Sequence, residues 1–258
     1  MFRRHLITSV LLTAVVAVFL GLVYPLVVTG IGQTVFRSQA NGSFITHNGQ
    51  AIGSKLIGQN FLDSKGNPDP RYFQSRPSAA GNGYDPQASG ATNLGPSDPR
   101  LVGFIPGFNT LDLHGNPSAD NPFANPSDPY CVPTDSSGKA VYQPSDGQQY
   151  AMNPDGTYAC YSSTVPERTY AYRQLNNLGA DVKVPVDAVT ASASGLDPGI
   201  SVANAMLQAP RVAQSRNLSV DKVVALLNAN TTDPQLGFMG EKTVNVLELN
   251  LALDNLSS

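Results

Sequence analysis

LITSVLLTAVVAVFLGLVYPLVV, residues 6 to 28, decides how the rest of this chain is read. The stretch is nearly continuous hydrocarbon, and no charged residue falls between Leu6 and Phe36. About 20 apolar residues cross a bilayer core as a helix. Arg3 and Arg4 precede the run, so the positive-inside tendency puts MFRRH, residues 1–5, in the cytoplasm. The expected layout is a transmembrane helix over 6–30 and one extracytoplasmic domain over 31–258. A cleaved signal peptide is the rival, because Ser38-Gln39-Ala40 has a small-x-small pattern. The apolar run exceeds the roughly 7–15 residues of a signal core, and that site lies well past its end. Either reading leaves the rest of the chain outside the cytoplasm.

Pro25 follows Tyr24 near the outer end of the helix and predicts a kink if neighbours satisfy the freed carbonyl. Gly21, Gly30 and Gly32 are small positions at which another membrane helix can approach closely. Glycine is also simply common in such helices, so these positions name packing candidates and not a partner.

The chain of 258 residues has a net charge of −3, and only 14% of its residues are charged. No basic stripe is present to meet phosphates, which excludes nucleic acid as an expected partner. With 23 glycines and 20 prolines, turns and loops should be abundant. Cys131 and Cys160 are too few and too far apart for a structural zinc site. Outside the cytoplasm, one pair predicts one disulfide, which stabilises by roughly 3–4 kcal/mol at most.

Asn48-Gly49 sits between two apolar-containing runs and predicts a β-hairpin. Residues 62–100 follow as a long loop-rich region, of the kind that is usually functional or disordered. Residues 103–165 stand apart: eight prolines, six aspartates, one lysine and no glutamate or arginine give a net charge of −5. This Pro/Gly/Asp-rich segment reads as an insertion, a disulfide-closed surface excursion with tight turns at Pro126–Pro129 and Asn153–Gly156. It holds no D-x-[DN]-x-[DN]-G calcium loop.

Beyond it, residues 166–178 predict a helix with proline at its first position and Gly179 after its end. VKVPV, residues 182–186, reads as an edge strand broken by Pro185. A helix should begin after Ser201 and kink or restart at Pro210. Ser219 should cap the next, with Val220, Val223, Val224 and Leu227 on one face. In TVNVLELNLALDNL, Asn245 and Glu248 suggest a capping box with Leu249, Leu253 and Leu256 as a stripe. Alternating leucines equally fit a strand; helix is the reading taken. The fold class is α+β: one membrane helix followed by a mixed α/β domain.

Motifs for chemistry are sparse. His5, His47 and His114 are scattered, and neither a phosphate loop nor a G-x-S-x-G elbow is present. Ser219 and Lys222 match the S-x-x-K of penicillin-recognising serine enzymes, but S-D-N and K-T-G are missing. A membrane-anchored extracytoplasmic serine hydrolase is therefore only a remote alternative. VTASASGLDPGIS, residues 189–201, alternates small apolar residues with hydroxyls. If extended, Thr190, Ser192 and Ser194 face one side, and Ala191, Ala193 and Gly195 the other. Asp197-Pro198-Gly199 should turn, with positive φ open to Gly199, and Ser201 should start the following helix. Asp197 argues against an anion cradle, although Arg211 or Arg216 lies nearby in sequence. A tightly packed strand-turn-helix without a ligand is the simpler reading.

Several long motifs in order carry a resemblance. They are GLVYPLVVTGIGQ, QANGS, GSKLIGQNF, YFQSRPSA, PVDAVTASASGLDP, QAPRVAQSRNLS and GFMGEKTVNVLELNLALD. The chain resembles the C subunits of the Kdp potassium-transporting ATPase, a bacterial P-type pump complex. That family usually connects NLGPS to the next helix by a short link, so residues 103–165 depart from it, as does Leu207, where many relatives carry an aromatic. The resemblance implies a non-catalytic accessory subunit in the bacterial inner membrane. Its implied partners are a channel-like potassium-binding subunit, the P-type ATP-hydrolysing subunit and a very small membrane subunit. It further implies a catalytic chaperone that raises the nucleotide affinity of the ATP-hydrolysing subunit, with Gln208 as the residue concerned and ATP reached only through the partner. That role conflicts with the topology above, which leaves only residues 1–5 on the nucleotide side. An assembly role is preferred, with Thr190, Ser192, Ser194, Gly195, Asp197 and Arg211 as interface candidates and Gly21, Tyr24, Pro25 and Gly30 as membrane packing positions.

Overall fold

The computed structural model describes residues 1–47, 49–103, 121–124, 131–137, 141, 149–160 and 164–256. Asn48, His114 and the Pro126–Pro129 turn lie outside the described residues. The chain forms two compact units, Met1–Leu56 and Ile57–Ser258.

The first unit opens with a helical rod over Phe2–Val35, long and apolar enough to cross a membrane and with none of its residues buried by the chain itself. It comprises α1 (Phe2–Val18), a π-helical turn (Phe19–Val23) and α2 (Tyr24–Val35). The π turn has a cause in the sequence. Pro25 has no N–H to offer the carbonyl of Gly21, and its ring crowds that turn. The register widens just before it, so that the Tyr24 N–H reaches the Phe19 carbonyl. The rod thus runs beyond the span predicted at either end, and the strain of Pro25 is taken up by one wide turn. Gly21 and Gly30 have nothing within 4 Å of where a Cβ would stand. After α3 (Arg37–Ala40), β1 (Phe44–His47) and β2 (Gln50–Ser54) form the expected antiparallel hairpin, with Gly49 at φ 79° and a bulge after Ile45.

The second unit carries the main core. Its helices are the short α4 (Pro99–Val102), α5 (Val165–Leu175), α6 (Val202–Ser215), α7 (Val220–Ala229) and α8 (Val246–Asp254). Its sheet is small: β3 (Gly199–Ser201) and β4 (Thr231–Thr232) flank β5 (Thr243–Asn245), both antiparallel to it. Ala205, Ala209, Val212 and Ala213 on α6 meet Val223 and Leu227 of α7, Leu249 and Leu253 of α8, and Phe73. Burying each large aliphatic chain stabilises by roughly 1.5–3 kcal/mol. Phe73, Ala80 and Tyr84 are also buried, so the loop-rich 62–100 region is ordered chiefly by packing, with one 3₁₀ turn at Pro86–Ala88 before α4 begins.

Caps set the helix starts. Thr164, Ser201, Ser219 and Asn245 each accept a hydrogen bond from the backbone N–H three residues on. The ambiguous C-terminal stretch resolves as strand then helix, divided at Asn245. Leu249 and Leu253 are buried, whereas Leu256 and Val220 stay on the surface.

Four expectations need correction. The helix after Pro166 stops at Leu175, because Asn177 takes the left-handed turn (φ 52°) ahead of Gly179. VKVPV is no strand; Pro185 leads instead into a single 3₁₀ turn, Val186–Ala188. Helix α6 continues through Pro210 without restarting. Pro210 and Met206 both lie on the exposed side, so the carbonyl that Pro210 leaves unpaired faces solvent. The left-handed residue of GLDPG is Gly195 (φ 68°), not Gly199, which is already in β3.

Candidate functional site

Helix α6 buries polar residues at i, i+4 and i+7: Asn204, Gln208 and Arg211. They lie among the alanines of the core face, and each is fully engaged. The Gln208 Oε1 accepts from the Gln74 N–H (2.7 Å) and from the Arg211 Nη2 (2.9 Å). Its Nε2 donates to the Gln74 carbonyl (3.1 Å) and to the Asn204 Oδ1 (2.9 Å). An amide offers two acceptor and two donor positions, so Gln208 has none left. All four are used within the chain, by Gln74, Asn204 and Arg211.

Arg211 is equally committed. Its Nη1 donates to the carbonyls of Pro70 (2.6 Å) and Tyr72 (3.0 Å), and its Nε to the Asn176 Oδ1 (2.9 Å). Burial pushes the guanidinium pKa down to about 10, which leaves it charged at neutral pH. It is 7% exposed and acts as a clasp inside the domain. Asn250 on α8 repeats the motif one residue earlier, accepting from the Phe73 N–H and donating to its carbonyl, both at 2.9 Å. Phe73 and Gln74 are thus held by N–H and carbonyl as if paired in a sheet, with side-chain amides in place of a neighbouring strand.

Asp187 anchors the start of α6. It accepts from the Ser201 N–H (2.7 Å), the Ser201 Oγ (2.9 Å) and the Asn204 Nδ2 (3.1 Å). A carboxylate there also suits the positive end of the helix. Tyr172 reaches the Asn204 Oδ1 at 2.8 Å, and desolvation raises its phenol pKa well above the ordinary value.

VTASASGLDPGIS packs against residues of its own chain. It forms no strand between Val189 and Pro198, although the Ser192 and Ser194 hydroxyls still approach each other at 3.4 Å. The Thr190 hydroxyl donates to the Val186 carbonyl (2.7 Å), and the Ser194 carbonyl accepts from the Gly90 N–H (2.9 Å) and the Ser89 Oγ (3.0 Å). A Cβ on Gly195 would lie 2.8 Å from the Ala80 nitrogen and 2.9 Å from the Gly90 carbonyl oxygen. On its other side, the Gly195 carbonyl accepts from the Ser78 Oγ at 2.6 Å. Gly58 is as tightly held, against the Tyr84 ring and the Asp197 carbonyl. Arg76 pairs with Asp197 (3.2 Å) and reaches the carbonyls of Thr190 and Ala191. The Tyr84 hydroxyl donates to the Arg76 carbonyl (2.7 Å), and burial pushes its pKa up to about 12. The small residues thus serve close packing within the domain; Ala193 and Ser194 remain exposed.

Between α5, α6 and the 60–77 segment lies a cavity of about 430 Å³, lined by Leu62, Gln74, Arg76, Arg168, Leu175 and Gln208 among others. Its walls bring together no carboxylate, histidine or thiol. Among the described residues, no group of three His, Cys, Asp or Glu could hold a metal ion. Ser219 caps α7 by accepting from the Lys222 N–H (3.3 Å), the ordinary use of serine at that position. Cys131 and Cys160 are joined, with Cα atoms 5.0 Å apart.

The structure therefore gathers Gln208, Arg211, Thr190, Gly195 and Asp197 into one domain, but as framework. Sequence reasoning missed Asn204, Asn250, Asp187, Arg76 and Gly58. A signal for the first existed: N-x-x-x-Q-x-x-R sits on the same helix face as Ala205, Ala209 and Val212, and polar groups on a core face must be satisfied internally.

Comparison with known proteins gives a consistent result. The model of the family described as "KdpC: K+-transporting ATPase, c chain" matches residues 6–108 and 113–255. A protein of Mycobacterium tuberculosis (strain ATCC 25618 / H37Rv) named "Potassium-transporting ATPase KdpC subunit" is 42% identical over 254 residues, covering 98% of this chain and all of that one. Proteins of the same name from Koribacter versatilis and Acidobacterium capsulatum are 40% identical over 252 residues and 41% over 253. These cover 98% of this chain in each case, and 95% and 99% of the relative.

Proposed function

This chain belongs to the KdpC family, the c chains of potassium-transporting ATPases, and on that premise we propose that it acts as an assembly subunit. It is an accessory chain, and ATP hydrolysis resides in a partner. The Phe2–Val35 helix anchors it in the inner membrane, with Arg3 and Arg4 on the cytoplasmic side and the Ile57–Ser258 unit outside. There it docks on the channel-like potassium-binding subunit and steadies the complex.

The observation that carries this reading is the saturation of Gln208. Every hydrogen-bonding position of its amide is used within the chain. An effect of this subunit on nucleotide affinity would then pass through contacts between subunits, because the folded domain presents no free Gln208 amide to a base. The serine-hydrolase alternative has lost its motivation, since Ser219 is a helix cap.

The test is affinity purification of the tagged chain from potassium-starved native membranes in mild detergent. Recovery of a channel-like subunit and a P-type ATPase supports the reading. Recovery of this chain alone, with the other subunits expressed and intact, sinks it. Titrating the Gln208→Met complex with ATP separates the two mechanisms. The assembly reading expects any loss of apparent nucleotide affinity to track loss of the subunit from the complex.

A further inference from the structure

Gly103 and Thr164 are 61 positions apart in sequence yet touch in space. A Cβ on Gly103, which has φ +70°, would lie 3.2 Å from the Thr164 Cβ and 3.3 Å from its Oγ1. Thr164 is buried and caps α5, and α4, which ends at Val102, packs against that same helix. The chain leaves the domain and returns to it at one point.

What lies between has its own interior. Phe123, Cys131 and Val132 are buried together, with Tyr150, Tyr158 and Cys160 packed on them. None of these residues belongs to the main core. The three rings meet pairwise at 5.3–5.7 Å between centroids, two of the three pairs edge-on, an arrangement that adds to simple burial. Backbone hydrogen bonds close within the segment: Thr134 to Ala159, Ala151 to Thr134, Ala159 to Ala151 and Val141 to Pro133. Residues 103–165 hold eight of the chain's twenty phenylalanines and tyrosines, enough for a small core. A unit of this size buries too little surface to stand without a staple, and Cys131–Cys160 supplies one inside that cluster.

We propose that the chain between Gly103 and Thr164 is an inserted module that folds on its own aromatic core, depends on the Cys131–Cys160 bond, and can be removed without loss of the surrounding domain. The module is redox-sensitive as a unit: reduction opens it, while the α6–α7–α8 core stays closed. This inference rests on packing and chain path alone, and is independent of the assembly function proposed above.

Two measurements on the full-length chain in detergent test it. In the first, residues 104–163 are excised, with Gly103 joined to Thr164 directly or through Gly-Ser-Gly. At least one junction should keep a cooperative melt within about 5 °C of the parent, a shift of roughly 1–2 kcal/mol for a domain of this size. Loss of cooperative melting with both junctions overturns the proposal. In the second, limited proteolysis with peptide mapping compares the oxidised chain with the reduced chain and with the Cys131→Ser/Cys160→Ser variant. Cleavage within 104–163 should rise at least tenfold while residues 164–256 stay protected. An equal rise in both regions overturns the module's independence, and no rise within 104–163 overturns its dependence on the disulfide.

Discussion

Asn250 holds Phe73 by both backbone atoms, 177 positions away in sequence, with two hydrogen bonds of 2.9 Å. Helix α8 thereby fixes the 70–74 segment at its buried residue, Phe73. Replacing Asn250 by leucine keeps the branching and the number of heavy atoms but strands a buried N–H and a buried carbonyl. The expected cost is about 2–6 kcal/mol, since each of the two unmade bonds costs about 1–3. Urea denaturation should show a lower midpoint with an unchanged slope.

Gln208 grips the next residue, Gln74, from helix α6. Gln208→Met should cost a similar amount, and here Arg211 also loses an acceptor. Because the two amides hold adjacent residues, their effects should not add. A double-mutant cycle with Asn250→Leu should give a coupling of about 0.5–3 kcal/mol. Strict additivity would mean that Gln208 and Asn250 act on separate parts of the fold.

Gly195→Ala tests the reading of the small-residue stretch. The new methyl meets Ala80 and Gly90 at under 3 Å, at a positive φ that alanine disfavours. Strain and overpacking together should cost about 2–4 kcal/mol. Ser192→Ala should stay within about 0.5 kcal/mol, because its hydroxyl meets only the Ser194 hydroxyl, at 3.4 Å. Thermal melts of the two variants would reverse this order if the hydroxyls, and not the glycine, held the stretch in place.

Much of the fold was legible where one local rule decided it. Ser201, Ser219 and Asn245 were readable as caps because small polar residues there satisfy free N–H groups. The Gly49 hairpin and the apolar rod followed from turn chemistry and length. The stretch VKVPV misled because β-propensity records a fit to neighbouring strands, which Pro185 and the 3₁₀ turn after it exclude. The clasp on residues 70–74 was harder to read, since its partners lie more than 130 positions away and no local pattern encodes that pairing. The interface candidates carry a related ambiguity. Small residues permit close approach, but sequence does not say whether the approaching backbone belongs to another chain or, as at Gly195, to Ala80 and Gly90 of the same one.

Asp69 supplies a pH dependence. Its buried carboxylate accepts from the side chain of Arg71 (2.6 Å to Nη2) and from the Arg71 N–H (2.9 Å). The Arg71 side-chain bond leads in holding its pKa below the ordinary 3.8, ahead of the opposing cost of burial. A carboxylate depressed in the folded state adds stability above its unfolded pKa. That stability is lost as pH falls through the lowered value. Denaturant midpoints measured from about pH 5 down to about pH 2 should therefore fall, and Arg71→Gln should flatten part of the fall. Arg71 is exposed, so added salt should weaken the effect.

The membrane helix yields the last prediction. Among the described residues, nothing beyond the helix's own neighbouring backbone comes within 4 Å of a Cβ placed on Gly21 or Gly30, so their backbones are open to a neighbour. Close approach at small residues is how helices associate where lipid is as apolar as leucine. Gly30→Leu should leave the melting of the Ile57–Ser258 unit unchanged, because the helix Phe2–Val35 is not buried by its own chain. If a partner helix packs there, the leucine should cut recovery of the other subunits during affinity purification at least severalfold. The same substitution at Val27, whose side chain is already large and exposed, should leave recovery intact. Equal recovery from both variants would place the subunit contacts outside this face of the helix and shift the burden of assembly to the Ile57–Ser258 unit.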